Sequence, residues 1–195
     1  MMTLFERLLQ GPWLYRLARI MILAYGKSAL GLRIIDAHKV PRKGGVVVAS
    51  NHITAWDPPL LGASTPREVN FMAKKELFER PWLRLLLRGL HAFPVDRERS
   101  DRTAIKSALR RLERGSAIGI FVQGTRSAGD AEALDGAAFL AQRAGVPLLP
   151  AAIWREGRNF RVRFGDPFTP CGRTRDDIRS TTDELMKSIK ALMLS

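Results

Sequence analysis

The sequence predicts a single α/β domain with a mixed, largely parallel β-sheet flanked by helices and preceded by N-terminal amphipathic helices. Its 195 residues are about the length of one domain. Charged residues make up 26% of the chain and the AVILMFWYC set 46%, which is ordinary for a folded globular protein and excludes a disordered one. Short apolar runs alternate with helical segments, as in layered α/β folds. We therefore expect N-terminal helices over residues 1–30 and one domain over residues 31–195.

The first half of the domain is marked by short apolar runs that turn residues separate. Residues 46–50 are predicted as a buried strand, because a β-branched run follows a turn rich in glycine at 41–45. The other elements predicted in this half are strands at 32–36, 69–73 and 91–95 and a helix at 81–88.

Glycines mark the helix ends in the second half. Gly115 ends a helix predicted at 100–114, and Gly145 ends one predicted at 134–144. The C-terminal helix is predicted at 175–194 from the helical spacing of its apolar side, Ile178, Leu185, Ile189 and Leu192. The remaining strands are predicted at 117–122, 148–153 and 160–164.

The balance of charge indicates anionic partners. Lys and Arg number 32 against 19 Asp and Glu, a formal net charge of +13. Such a balance favours nucleic acid, an anionic membrane face, or acidic carriers and substrates. We expect no nucleic acid, because the basic residues do not cluster in a recognisable binding motif. The single cysteine, Cys171, excludes an intrachain disulfide and a cysteine-rich zinc site, and fits a reducing, cytoplasmic setting.

The N-terminal segment has an unusual apolar pattern. Its longest apolar window, residues 20–25, falls short of the roughly 20 residues of a membrane span and the roughly 7–15 of a secretory signal. One interpretation of its helical spacing is a helix lying in a membrane interface, and the other, which composition alone favours, is a helix packed on its own core. The residues with this spacing are Trp13, Leu14, Leu17, Ile20, Met21 and Ala24.

A second basic and apolar segment leaves the same two interpretations open. Arg80, Arg84 and Arg88 form one stripe of the helix predicted at 81–88, among many leucines. The stripe is either a solvated face or a surface near anionic lipid head groups.

A histidine and an aspartate flank a predicted loop. His52 and Asp57 would lie about 140° apart on one helix, so they can meet only across a loop. Asp57 precedes Pro58, which suits the start of a helix. We therefore expect Asp57 to be a helix N-cap, with one carboxylate oxygen on the helix and the other orienting the imidazole as a general base. The alternative, a loop histidine beside a plain helix cap, has equal weight from this pair alone.

A second pair with the same spacing serves as a comparison. His91 and Asp96 lie along a predicted strand, where an odd offset places two side chains on opposite faces. We therefore expect no dyad from this pair.

Two predicted strands end in groups that suit an anion. Arg97 follows the strand at 91–95, and Gly124, Thr125 and Arg126 follow the strand at 117–122. A glycine lets backbone amides approach an anion, and an arginine fork suits phosphate oxygens. Each arginine alone is better explained as a surface salt bridge, but the two together with the histidine loop favour a phosphorylated ligand.

Four segments, taken together, resemble a known family. In order and rough spacing they are similar to the four motif blocks of the glycerolipid acyltransferases, and most closely to the 1-acylglycerol-3-phosphate type. A further stretch, 73–78, also resembles that type, and the match spans roughly residues 30–165. The four segments are 51–57, 93–97, 121–127 and 146–150.

The resemblance implies a reaction and a role for each residue. His52 would take the proton from the acceptor glycerol hydroxyl, and Asp57 would orient and stabilise it. The hydroxyl would attack the thioester of acyl-CoA or of an acyl carrier protein directly, giving phosphatidic acid in phospholipid biosynthesis. The implied phosphate ligands are Arg97, Gly124, Thr125 and Arg126, and the implied supporting residues are Asn51, Gln123 and Pro150.

The resemblance also implies the setting. The enzyme would need no metal or cofactor, with acyl-CoA or an acyl carrier protein as co-substrate and a lysophospholipid as acceptor. It would be a peripheral or monotopic protein at the cytoplasmic face of an anionic membrane. Residues 1–30 would associate with that membrane, and residues 31–195 would form the acyltransferase domain.

Two departures from the family pattern leave the acceptor open. Gln123 stands where the family usually has glutamate, and Asp135 precedes Gly136 where lysine is common. The alternatives are an acyltransferase for a different lysolipid, an inactive relative, or a basic protein that binds nucleic acid or lipid without catalysis. A hydrolase would need a metal or a nucleophile that the sequence does not offer in a diagnostic setting.

Overall fold

The fold is described by a computed structural model for residues 12–96, 102–122, 131–172 and 174–194. Its helices are α1 (Pro12–Ala29), α2 (Asp57–Ser64), α3 (Pro81–Gly89), α4 (Arg102–Glu113), α5 (Ala131–Ala144) and α6 (Arg175–Leu194). Its strands are β1 (Arg33–Ile35), β2 (Val46–Ser50), β3 (Val69–Lys74), β4 (Phe93–Val95), β5 (Ala117–Phe121), β6 (Leu148–Glu156) and β7 (Asn159–Phe164). Short 3₁₀ helices span Ala37–Lys39 and Lys75–Phe78.

The described strands form one seven-stranded sheet in the order β1-β7-β6-β2-β5-β3-β4. Neighbouring strands are parallel except β6 and β7, which are joined as an antiparallel hairpin. Strands β2 to β6 therefore all end at the same edge, here named the carboxyl edge. This arrangement confirms the predicted mixed, largely parallel sheet. Ligands of such sheets bind at the carboxyl edge, so it is the place to look for a site.

Helices cover both faces of the sheet, and β2 shows how the core is divided. Val46 and Val48 point to one face and join the cluster built with α2 and part of α1. Val47 and Ala49 point to the other face and join the cluster built with α4, α5 and α6. All five residues of β2 are buried, as expected for a central parallel strand. The sheet therefore separates α1 and α2 from α4, α5 and α6.

Two element boundaries differ from the predictions for physical reasons. β6 runs to Glu156, beyond the predicted end at residue 153, because antiparallel pairing with β7 continues to Glu156 opposite Asn159. The strand predicted at 91–95 begins only at Phe93. His91 has a φ of 60° and lies in the left-handed region that follows many helices, so the chain is still leaving α3 there.

Helix α1 turns an apolar stripe toward solvent. Ile20 is 63% exposed and Met21 62% exposed, whereas Tyr15 and Gly26 on the opposite side are buried. The core-packed interpretation of this stripe is therefore wrong, because the side of α1 that packs on the protein is a different one. The exposed stripe comprises Trp13, Leu17, Ile20, Met21 and Tyr25. No helix within the described ranges is long and apolar enough to cross a membrane.

Candidate active site

The loop that leaves β2 begins with an asparagine fixed to the neighbouring strand. The buried Asn51 side chain donates from Nδ2 to the Ile153 carbonyl at 2.6 Å and accepts the Ile153 N–H on Oδ1 at 2.8 Å. The Asn51 side-chain amide thus makes the pair of hydrogen bonds that main-chain groups would make between β2 and β6. Because Asn51 is held in this way, the next residue, His52, starts from a defined position at the carboxyl edge.

The Asp57 carboxylate organises the rest of the loop. Its Oδ2 accepts the Ile53 N–H at 2.5 Å and the Thr54 N–H at 2.8 Å, and its Oδ1 accepts the Thr54 hydroxyl at 2.9 Å. The side chain is fully buried. A buried carboxylate is costly unless donors surround it, and here the loop itself supplies them.

The prediction that Asp57 is the N-cap of the helix is wrong. The cap position of α2 is Trp56, and the carboxylate bonds to the preceding loop rather than to helical N–H groups. An N-cap side chain at Asp57 would accept the N–H of residue 59 or 60, but Pro59 has none and the Leu60 N–H already donates to the Trp56 carbonyl at 2.9 Å. The carboxylate is consequently free to point back at the loop and at the histidine.

His52 and Asp57 meet across the loop. His52 Nδ1 lies 2.6 Å from Asp57 Oδ2, and 28% of the histidine side chain is exposed while the aspartate is fully buried. With Asp57 ionised, the Nδ1–H of the neutral ring donates a hydrogen bond to the carboxylate, and the lone pair is on Nε2. The arrangement can therefore accept a proton at Nε2 and stabilise the resulting imidazolium.

An aromatic ring holds the other side of the imidazole. Phe121 stacks on His52 with ring centroids 4.5 Å apart and an interplanar angle of 27°. Phe121 in turn stacks on Phe71 at 5.9 Å. Phe71 is close-packed over Gly119, where an added Cβ would lie 2.2 Å from the ring. The carboxylate thus fixes one edge of the imidazole and the Phe121 ring fixes one face.

The stacking partner of His52 was not predicted, although a signal for it exists. Phe121 is the last residue of β5 and lies opposite Ser50, the last residue of β2. An aromatic residue at that register can contact His52, in the loop that follows β2. The signal needs the pairing of β2 with β5, and the sequence alone does not provide that pairing.

An apolar cavity of about 380 Å³ opens beside His52. It lies between α1, α2, α3 and β3, on the sheet face opposite α4. Its walls are mainly aliphatic and aromatic side chains, which include Ile22, Ala63, Phe71, Met72 and Leu87. A volume of this size is typical of small-ligand sites, and the walls suit an apolar chain.

Three polar side chains besides His52 line the cavity, and two of them have structural partners. The hydroxyl of Tyr15 accepts the Val69 N–H at 3.1 Å, and burial raises the pKa of its phenol, which therefore stays neutral. Arg19 donates from Nε to the Ala63 carbonyl at 3.1 Å. The third is Lys74, exposed at the carboxyl end of β3. Lys74 was not predicted as a site residue, although it lies within the stretch 73–78 that carried the resemblance.

All four predicted phosphate-binding residues, and the predicted supporting residue Gln123, lie outside the described residues. These are Arg97, Gln123, Gly124, Thr125 and Arg126. The strands they follow, β4 and β5, end at the same edge as β2.

Of the predicted supporting residues, Asn51 lies at the site and Pro150 does not line the cavity. Pro150 is buried within β6 opposite Ala49, two residues before the loop. The contribution of β6 to the site is made by the main chain of Ile153, which holds Asn51.

The second histidine–aspartate pair does not come together. His91 lies 3.2 Å from Glu68, and Asp96 lies 2.5 Å from the Lys75 ammonium. The expectation of no dyad is therefore confirmed, but its reason is wrong. His91 precedes β4 instead of lying within a strand, so the alternation of strand faces does not apply to it.

Comparisons with known proteins identify the family of this chain. The family model described as Acyltransferase matches residues 31–154. A 1-acyl-sn-glycerol-3-phosphate acyltransferase of Bacillus subtilis is 38% identical over 176 residues, covering 83% of this chain and 88% of its own. One of Streptococcus pneumoniae is 34% identical over 165 residues, covering 79% of this chain and 60% of its own.

The fold also matches a solved structure. The crystal structure of the 1-acyl-sn-glycerophosphate (LPA) acyltransferase PlsC from Thermotoga maritima superposes with a TM-score of 0.69. The match covers 93% of this chain and 82% of that one, at 22% identity, so it shows the fold alone.

Proposed function

Because the chain belongs to the acyltransferase family, we propose that it transfers a fatty acyl group from an acyl thioester to the free hydroxyl of 1-acylglycerol-3-phosphate, giving phosphatidic acid. The observation that carries the proposal is the His52 imidazole, held 2.6 Å from Asp57 beside an apolar cavity of about 380 Å³. The names of the two curated relatives support the choice of acceptor.

The dyad supplies the base for a direct transfer. Nε2 of His52 removes the proton from the acceptor hydroxyl as its oxygen attacks the thioester carbonyl, and Asp57 stabilises the imidazolium. The new C–O bond forms, the C–S bond breaks, and the imidazolium returns its proton to the leaving thiolate. A positioned base contributes about 10²–10⁴-fold. Orientation and charge stabilisation supply the remainder.

In this proposal the cavity binds the fatty chain of the substrate, and Lys74 lies near its anionic head group. The fatty chain lies along the apolar walls, where each buried CH₂ is worth about 0.8 kcal/mol. The Lys74 ammonium attracts an anionic head group to the carboxyl edge. Arg97, Gly124, Thr125 and Arg126 are proposed as the phosphate ligands on the basis of their motifs, with Gln123 in support.

The membrane lies, in this proposal, against the exposed stripe of α1. Tyr25 of that stripe stacks on Trp56 of the histidine loop, with ring centroids 5.4 Å apart, so the stripe is continuous with the site. Exposed aromatic and aliphatic side chains are typical of proteins that lie in a membrane interface. Helix α3 adds exposed Trp82 and Leu86 together with exposed Arg84 and Arg88. The protein would thus be peripheral or monotopic, at the cytoplasmic face.

A panel of acceptors tests the proposal. The full chain is mixed with vesicles carrying one lysolipid each, with phosphate, phosphoglycerol or phosphocholine head groups, and with labelled palmitoyl-CoA or palmitoyl-acyl carrier protein. Products are identified by mass spectrometry. We expect phosphatidic acid from lysophosphatidic acid at a rate at least about tenfold above the other acceptors. Preference for another lysolipid would replace the acceptor, and no transfer to any lysolipid from either donor would overturn the proposal.

A further inference from the structure

Helix α4 and the residue directly after it carry a ridge of cations on their exposed side. Arg102, Lys106, Arg110 and Arg114 follow one another at intervals of four residues, and all four are exposed. We name these four residues the α4 ridge. No ion pair is recorded for any of them within the described part of the chain. Four neighbouring like charges repel one another, so the ridge is a strong local source of positive potential.

The ridge faces outward because the other sides of α4 are used in packing. Ala108 and Leu112 are buried in the core, and Ala104 is buried beside them. Arg111 turns inward, where its guanidinium lies 4.7 Å from the centre of the Phe93 ring. Burial lowers the pKa of Arg111. The helix thus separates an arginine used for packing from four cations that face solvent.

The ridge begins near the edge of the sheet where His52 lies. Helix α4 connects β4, which ends at the carboxyl edge, to β5, which begins at the opposite edge. Arg102 is therefore at the end nearer the site and Arg114 at the far end. At 1.5 Å per helical residue the ridge is about 18 Å long, which suits contact with one helix of a partner protein.

The surroundings of the ridge differ from those of the basic side chains on α3. Helix α3 combines exposed Arg84 and Arg88 with exposed Trp82, the mixture found in membrane interfaces. No large apolar side chain is exposed on α4. The sheet also lies between α4 and α1, so a bilayer that contacts the exposed stripe of α1 does not reach the ridge.

Another helix on the same face, α6, does not share this charge. The exposed side of α6 carries both signs, with Asp183 and Glu184 beside Lys187 and Lys190. On α4 the one exposed acid is Glu113, at the end far from the site, so the exposed side of α4 is predominantly basic whereas that of α6 is mixed.

We propose that the α4 ridge is the docking surface for an acidic acyl carrier protein, which delivers the thioester from the side of the protein that faces away from the membrane. The inference rests on the proposed function, since it concerns the donor of that reaction. Complementary charge steers association and is screened over about 10 Å at 0.1 M salt. The carrier is thus held at the ridge while its acyl thioester reaches His52 across the carboxyl edge.

Charge reversal on the ridge tests the inference. The variant Lys106→Glu/Arg110→Glu is compared with Arg179→Glu/Lys187→Glu, which makes the same charge change on α6. Each is assayed on lysophosphatidic acid with palmitoyl-acyl carrier protein and, separately, with palmitoyl-CoA. We expect the ridge variant to raise KM for the carrier protein about tenfold, a loss that shrinks as salt increases. Its activity with palmitoyl-CoA, and that of the α6 variant with both donors, stays within about twofold of wild type.

The assays with the two donors distinguish failure of this inference from failure of the proposed function. Wild-type transfer from both donors with no selective loss in the ridge variant overturns the docking surface and leaves the reaction standing. The same holds if wild type uses palmitoyl-CoA but not the carrier protein. An equal loss with both donors shows that the substitutions damage the enzyme generally, and also overturns the inference. No transfer from either donor overturns the proposed function itself.

Discussion

Asp57 is the residue on which the geometry of the histidine loop depends. Its carboxylate accepts two backbone N–H groups and one hydroxyl besides contacting His52. All four partners come from the three residues that begin the loop after Asn51, so one buried side chain fixes both the backbone and the imidazole. The catalytic role proposed for Asp57 therefore cannot be separated from its structural role in the native protein.

Asp57→Asn is expected to lower kcat at least about a hundredfold. An amide nitrogen cannot accept the hydrogen bonds that the carboxylate accepts, and the ring loses the charge that stabilises imidazolium. Initial rates at saturating substrates measure the effect, and a thermal melt reports folding. An Asp57→Asn variant that keeps more than about a third of the wild-type kcat would contradict the proposed role.

Phe121 is expected to act as a positioning residue through its stack on His52. Phe121→Leu removes the flat face and should lower kcat about tenfold with little change in KM, whereas Phe121→Tyr keeps the ring and should restore most of the rate. Phe160→Leu, in the core, provides the matched control. Equal kcat values for the two leucine variants would show that the stack has no effect on catalysis.

Two adjacent lysines allow a residue that lines the cavity to be compared with one that forms a surface ion pair. Lys74 lines the cavity, whereas Lys75 pairs with Asp96. Lys74→Ala should raise KM for lysophosphatidic acid about tenfold, equivalent to about 1.4 kcal/mol, and Lys75→Ala should change it less than about twofold. Steady-state kinetics with varied acceptor measure both. The prediction fails if the two variants respond alike.

Among the helices, α1 carries an exposed apolar stripe that packing in the protein core does not explain. Ile20→Ser should weaken binding of the protein to anionic vesicles about fivefold, because less apolar surface leaves water on binding. Leu194→Ser is the matched control, since Leu194 is 90% exposed at the end of α6, on the opposite face. Flotation with liposomes measures both. Equal binding by the two serine variants would remove α1 from the membrane contact.

The elements that sequence predicts well are those whose signals are local. The bounds of β2 and α6 agree with the sequence because a β-branched run and a long apolar stripe identify them without reference to neighbours. The end of β6 differs from its predicted position because pairing with β7 extends the strand. The Asp57 carboxylate turns back to the loop partly because Pro59 lacks an N–H, which the sequence shows, and partly because the Leu60 N–H donates to the Trp56 carbonyl, which it does not show.

The site residues also fall into those that local sequence signals identify and those that depend on the strand order. The pairing of His52 with Asp57 follows from a strand, a loop and a helix in sequence order, so the candidate pair could be named in advance. Phe121 and Lys74 reach the site because β5 and β3 follow β2 in the order of the sheet. That order is set by contacts distant in sequence, which hydropathy patterns do not contain.

The whole molecule places two unlike surfaces on opposite faces of one sheet. The apolar stripe of α1 and the mixed surface of α3 suit lipid, and the α4 ridge suits an acidic protein. The candidate site lies at the carboxyl edge between them. In the two proposals made above, a lipid acceptor arrives from one side and a soluble donor from the other.

The chain contains its own control for the proposed role of His52, because two histidines have an aspartate five residues later. Acyl transfer to lysophosphatidic acid is measured for wild type, His52→Asn and His91→Asn, the last chosen because asparagine tolerates the left-handed conformation of that residue. We expect a loss of about a hundredfold or more for His52→Asn and at least about half of the wild-type rate for His91→Asn. Substantial transfer by His52→Asn would contradict that role.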